Sequence, residues 1–114
     1  MCKYGDIYYA DLPVITGSSV QQGRRPVLIV SNDKFNQHST MVSIAPMTSK
    51  LGKNSIPTHV HISGYGLAKE SIILFEQTMV LDQSRLLGKI GSIKDQPMLE
   101  KIAQALKIQF NMSA

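Results

Sequence analysis

The sequence predicts a mostly β protein of the α+β class: a small barrel or sandwich of five or six short strands with one amphipathic helix at the C-terminal end. Three observations carry this. Short apolar segments of strand character recur through most of the chain, with Gly and Asn turns between them. The hydrophobic period changes to that of a helix only near the end. The 114 residues suit one domain, 1–114, and 43% apolar against 18% charged residues supports a packed core rather than disorder.

Taken in order, Ile7-Tyr8-Tyr9-Ala10-Asp11-Leu12 reads as a strand opened by Gly5-Asp6 and closed by Pro13. Val27-Leu28-Ile29-Val30 is a continuous apolar run, rich in β-branching and too short for a helix, as a buried strand would be. Met41-Val42-Ser43-Ile44-Ala45 is another. Thr58, Val60 and Ile62 alternate with His59 and His61, which puts the two histidines on the opposite face. Residues 71–75 and 78–81 read as two strand segments separated or bent at Glu76-Gln77, and a short helical turn follows Asp82 through Leu87 to end at Gly88. At the end, Leu99, Ile102, Ala103, Leu106 and Phe110 form one helical stripe, with Asp95 as N-cap and Pro97 in the first turn.

Composition narrows the function. Twelve Lys and Arg against eight Asp and Glu give a formal charge of +4, which favours an anionic partner such as nucleic acid or an acidic protein. No apolar run approaches the roughly 18 residues of a membrane span, and the start lacks a signal-peptide apolar region, so a cytoplasmic protein with no membrane partner is expected. The one cysteine, Cys2, has no internal partner and sits where chain ends fray. Two loops, 16–25 and 48–56, carry Arg24, Arg25, Lys50 and Lys53 with no acid between them, together with many hydroxyl and amide groups. Brought together, they would form a groove suited to a phosphate backbone.

Familiar catalytic sets are absent: there is no Gly-rich phosphate loop, no Cys pair for zinc and no Gly-x-Ser-x-Gly elbow. His59 and His61 share a face roughly 7 Å apart along the strand. Without a third ligand nearby in sequence they read as a solvent-facing pair rather than a metal site or an acid–base couple. Arg25 stands where a polar loop meets a buried strand, so a rigid scaffold holds its Cα while its fork faces the groove. Thr48, just past Pro46, occupies the matching place at the end of the next strand.

These segments, in register, are recognisable. Gly5-Asp6-Ile7-Tyr8, the run from Arg25-Pro26 through Asn32-Asp33, Pro46-Met47-Thr48, Ile56-Pro57-Thr58-His59-Val60, Ile73-Leu74-Phe75-Glu76-Gln77 and Leu81-Asp82-Gln83-Ser84-Arg85-Leu86 resemble the MazF/PemK family of toxins, from about Tyr4 to Phe110. The resemblance implies an SH3-like small β-barrel with a C-terminal helix, a homodimer, and metal-independent, cofactor-free endoribonuclease activity on single-stranded RNA. It also implies a cognate antitoxin whose acidic segment occupies the RNA groove. The family's catalytic Arg falls on Arg25 and its catalytic Thr on Thr48; Glu76-Gln77 matches a pair in a later strand, with Gln77 a base-reading candidate. In the loop before Arg25, Ser19 and Gln21 stand at RNA-binding positions, but Val20 replaces an acidic residue and one extra residue lies near Ser18. The alternative is a CcdB-like toxin, a related barrel that poisons DNA gyrase by binding without catalysis; a third reading is an SH3-like module that binds an acidic peptide.

Overall fold

A computed structural model describes residues 1–52 and 56–112. Seven strands run as β1 (Asp6–Leu12), β2 (Gly23–Ile29), β3 (Met41–Thr48), β4 (His59–Ile62), β5 (Ser71–Leu74), β6 (Met79–Asp82) and β7 (Leu86–Ser92), with helices α1 (Asp33–His38) and α2 (Gln96–Gln109). All pairings are antiparallel, in the order β4-β5-β3-β2-β1-β7, and β6 joins the other end of β3. Between β6 and β7 there is only the turn Gln83–Arg85, so the curled sheet approaches a barrel without a hydrogen-bonded seam at that point.

β3 is the central strand. Along one edge its Ile44, Ala45 and Pro46 pair with β2. Along the other, Met41 through Ile44 pair with β6, whereas Met47 and Thr48 pair with β5. Pro46 lies in the gap between those two ladders, where its missing N–H interrupts nothing.

The continuous apolar run in β2 is buried on both sides, as expected for such a pattern. Leu28 packs with Ile7, Ala45, Met47, Ile73, Phe75, Ile93, Ile102 and Ala105. Val27 and Ile29 point the other way, into a second cluster with Ala10, Leu12, Val42, Ile44, Leu81 and Cys2. Cys2 therefore does not fray: it is buried against the second cluster, and burial pushes its thiol pKa up.

α2 begins as expected. Asp95 accepts from the Met98 amide at 3.2 Å, and Tyr65 donates its hydroxyl to the same carboxylate at 2.7 Å. The Tyr65 hydrogen bond holds the Asp95 carboxyl below its ordinary range. Ile102 and Ala105 are fully buried, with Met98, Leu99 and Leu106 packed beside them. Phe110 departs from the expected stripe: α2 ends at Gln109, and the ring, one residue beyond, is 55% exposed. Among the described residues, no helix is long and apolar enough to cross a membrane.

Three further elements differ from expectation. The turn after Asp82 exists, capped by the Asp82 side chain on the Ser84 amide at 3.0 Å, but it spans only Gln83–Arg85. Leu86 and Leu87 instead open β7, a strand hidden in the sequence because Gly88, Lys89 and Gly91 break its alternation and two register shifts interrupt its pairing with β1. At Gly91 a Cβ would lie 2.0 Å from the Tyr65 carbonyl oxygen, so only glycine fits that approach. α1 was not expected either. It has six residues, an Asn32 cap on the Phe35 amide at 2.8 Å, and a far end held by Gln83, whose amide donates to the carbonyls of Asn36, Ser39 and Met41.

The helix face sets a stability prediction. Ile102→Ala should cost about 2–5 kcal/mol in urea unfolding. Phe110→Ala, at an exposed position, should cost less than about 1 kcal/mol.

Candidate active site

β2 and β3 carry Arg25 and Thr48 to the same place. Their ladder pairs Val27 with Pro46, so counting two residues outward on each strand sets Arg25 opposite Thr48. Strand alternation puts both on the side of Val27, Ile29 and Ile44, at the rim of the second core cluster, where each is half-buried. On its other flank Arg25 pairs with the buried Ala10 of β1. The two side chains thus hang from neighbouring strands whose inner residues are fully packed.

The hydrogen bonds at this rim leave useful donors. The Arg25 Nε donates to the Gln22 carbonyl at 3.1 Å, and among the described residues no carboxylate lies within ion-pair distance of the guanidinium. Among the described residues its two NH2 groups take part in no hydrogen bond or ion pair, which leaves them as a fork for a phosphate. The Thr48 hydroxyl accepts from the Lys50 amide at 3.1 Å, which occupies a lone pair and leaves its proton to donate. Arg25 also lines a cleft of about 240 Å³ with Tyr9, Arg24, Met47, Ser49 and Lys69 among others, with three cations and no carboxylate; Thr48 is not in its lining.

The β1–β2 loop is braced rather than loose. Gln22 donates its side-chain amide to the Ile15 carbonyl at 2.6 Å, and the Ser18 hydroxyl accepts from the Val20 amide at 3.1 Å. The Gln21 amide donates to Gln77 Oε1 at 2.8 Å. Ser19 is exposed on this loop, as is Arg24 at the start of β2 and Lys50 just past β3. Lys53, also expected at the groove, lies outside the described residues. Val20 leaves the loop without a carboxylate at the position expected to be acidic.

Gln77 arrives from a different direction. The break expected at Glu76-Gln77 is a single 3₁₀ turn, Phe75–Gln77, between β5 and β6. The β5 ladder on β3 runs to Met47 opposite Ile73, and the β6 ladder takes up with Met79 opposite Ile44, so the turn spans the stretch of β3 around Ala45 and Pro46. Phe75, fully buried, anchors the turn.

The histidine pair also reads differently in three dimensions. His61 is exposed, but the His59 side chain is only 15% exposed and its Nε2 sits 2.8 Å from Glu76 Oε2. Thr58 donates to the other oxygen of Glu76 at 3.0 Å. His59 therefore belongs to a side-chain network, not to a solvent-facing pair. Among the described residues, no three His, Cys, Asp or Glu side chains come together as metal ligands. Sequence reasoning missed this network, the Gln22 anchor on Arg25, and Tyr9 and Lys69 in the cleft. Only the fold brings Lys69, 44 positions away, to Arg25.

Comparison with known proteins decides the family. The model of PemK-like, MazF-like toxins of type II toxin–antitoxin systems matches residues 3–110. The chain belongs to this family. It is 42% identical over 108 residues to the endoribonuclease EndoA of Bacillus subtilis, covering 93% of this chain and 91% of that one. It is 45% identical over 102 residues to the endoribonuclease MazF of Staphylococcus saprophyticus, covering 88% and 84%. A mycobacterial endoribonuclease in complex with its cognate antitoxin shares the fold, with a TM-score of 0.78, 23% identity, and coverage of 100% of this chain and 99% of that one. As a MazF-like toxin the chain has the small, mostly β architecture with a C-terminal helix that the sequence predicted, although the described residues form seven strands rather than five or six.

The braced loop yields a prediction. Gln22→Ala removes a side-chain anchor of residues 15 and 18 and should speed amide exchange at Val20 and Gln21 by about tenfold, while buried β2 amides stay unchanged.

Proposed function

We infer that this toxin is a metal-independent endoribonuclease that cleaves single-stranded RNA at particular sequences, the whole chain acting as one toxin domain. The observation that carries this reading is the facing pair at the rim of β2 and β3. Arg25 presents an uncommitted guanidinium fork, and Thr48 has a hydroxyl whose lone pair is already engaged.

The 2′-OH of the cleaved nucleotide attacks the adjacent phosphorus. The O2′–P bond forms and the P–O5′ bond breaks, with one proton lost from the 2′-OH and one gained by the 5′-oxygen. A 2′,3′-cyclic phosphate or its 3′-phosphate product remains. Arg25 neutralises the extra negative charge of the pentacoordinate phosphorus; a guanidinium keeps its proton, so it works as a charge and a fork, not as a proton donor. Thr48 donates to a non-bridging oxygen. Val20 supplies no base, so the reaction runs without a carboxylate from that loop position.

Arg24, Lys50, Lys53, Ser19 and Gln21 bind the RNA backbone, and Gln77, whose side chain holds the Gln21 amide of that loop, reads a base beside the cut. Two subunits supply a groove long enough for several nucleotides, and an acidic antitoxin segment competes for the same cations. The protein acts in the cytoplasm, where messenger RNA is single-stranded and accessible. Similarity to endoribonucleases, one of them solved with its antitoxin, supports this reading over a gyrase poison.

Purified toxin should cut naked RNA in the presence of EDTA; RNA left intact, or cleavage halted by EDTA, overturns the reading. Arg25→Ala should slow cleavage by about 10³-fold or more, and Arg25→Lys should recover little because a point charge lacks the fork. Thr48→Val should lower kcat by about 10²–10³ with little change in KM. Light scattering should give twice the chain mass. RNA binding should weaken as salt rises and be displaced by an acidic antitoxin peptide.

A further inference from the structure

Four links connect β4 to the reacting guanidinium. His59 Nε2 and Thr58 Oγ1 hold the two oxygens of Glu76 at 2.8 and 3.0 Å. The next residue, Gln77, accepts the Gln21 amide at 2.8 Å. The residue after Gln21 is Gln22, whose carbonyl accepts Arg25 Nε at 3.1 Å. We propose that Thr58, His59 and Glu76 are positioning residues for cleavage, a clamp that sets Gln77 and, through Gln21 and Gln22, the orientation of Arg25. The proposal rests on the endoribonuclease reading above and assigns a function to a side-chain network that this reading leaves unused.

The turn needs such a clamp. A single 3₁₀ turn is weak on its own, and here its internal support is the Thr78 amide on the Phe75 carbonyl at 3.3 Å, with the Thr78 hydroxyl on the same oxygen at 2.6 Å. Phe75 is fixed by burial and by its amide donating to the Thr58 carbonyl at 3.0 Å, but that holds only the first residue. Glu76 is the one side chain that ties the middle of the turn to β4. Without that tie, Gln77 is set by the backbone of a three-residue turn between strands that pair with separate stretches of β3.

The state of His59 supports a dedicated role. Its Nδ1 is buried and has no partner among the described residues, so its hydrogen-bonding capacity goes to Glu76 alone. A carboxylate only accepts, so Nε2 carries the proton in this contact. Leaving a buried ring nitrogen unpaired is unfavourable. The fold tolerates it where the other nitrogen holds a carboxylate two short steps from the active-site loop. A displacement of about 1 Å at a reacting group can cost on the order of 10²-fold in rate, so a clamp acting at this distance has kinetic leverage.

The test uses full-length toxin in two assays, RNA cleavage and hydrogen exchange of the Gln21 amide. His59→Ala should lower kcat by about 10- to 50-fold, with any rise in KM from a loosened Gln77 smaller than that fall. His59→Gln, whose side-chain amide can still donate to Glu76, should recover to within about threefold of the parent. His61→Ala, at an exposed position outside the network, should leave the rate unchanged. In His59→Ala the Gln21 amide should exchange about tenfold faster while the Leu28 and Ile73 amides do not change, which separates a released loop from a damaged fold. Unchanged kcat in His59→Ala, a raised KM with unchanged kcat, or a Gln variant as slow as the Ala variant would overturn the clamp. If the parent left RNA intact, the endoribonuclease reading would fall, and Gln21 exchange in His59→Ala would still decide whether the clamp holds the loop.

Discussion

The change of partner along β3 is the constraint on which the rest of the molecule depends. Met41 through Ile44 pair with β6, Met47 and Thr48 pair with β5, and Pro46 occupies the break. Because β5 and β6 lie on the same edge of one strand, the chain joining them must turn at the level of that break. This puts the Phe75–Gln77 turn beside the Ala45–Pro46 stretch of β3. On the opposite edge β2 pairs Val27 with Pro46, and Arg25 lies two residues further out, on the side of Thr48. One strand therefore gathers the charged fork, the hydroxyl donor and the base-reading amide from three parts of the sequence.

Rigidity below and openness above follow from the burial pattern. Val27, Ile29, Ile44 and Ala10 are fully buried beneath the rim, so the backbone bearing Arg25 and Thr48 cannot shift without opening the second core cluster. The groups above that level are half-buried or exposed and mostly cationic. A preorganised set of donors stabilises developing charge because little reorganisation is needed during the reaction. The loop is held by its own polar side chains and by Gln77, which suits a surface that must admit RNA or, in turn, an acidic antitoxin segment.

Much of the architecture was legible in sequence, for physical reasons. The double-sided burial of β2 showed as an unbroken apolar run, and the start of α2 showed as an Asp cap followed by Pro. β7 was not legible because Gly88, Lys89 and Gly91 break its alternation, Gly91 being required by the close approach of the Tyr65 carbonyl. α1 is too short to stand by propensity and depends on Gln83, 45 residues beyond its last residue, for its far end. Arg25 and Thr48 were placed by family resemblance, since spacing alone does not separate them from any surface Arg and turn Thr; strand register then shows why they face each other. The His59–Glu76 contact left no local signal, because Thr58-His59 and Glu76 meet only through tertiary packing of β4 on the turn.

The central claim is that the facing Arg25 and Thr48 stabilise attack by the RNA's own 2′-OH. The most direct measurement replaces that hydroxyl with hydrogen at the cleaved nucleotide of an otherwise unchanged RNA and follows cleavage and the termini formed. The account predicts that the deoxy substrate binds normally and stays uncut, while the parent RNA yields a 2′,3′-cyclic phosphate or its 3′-phosphate product and a free 5′-OH. Cleavage of the deoxy substrate at a comparable rate, or a 5′-phosphate on the product, would contradict it.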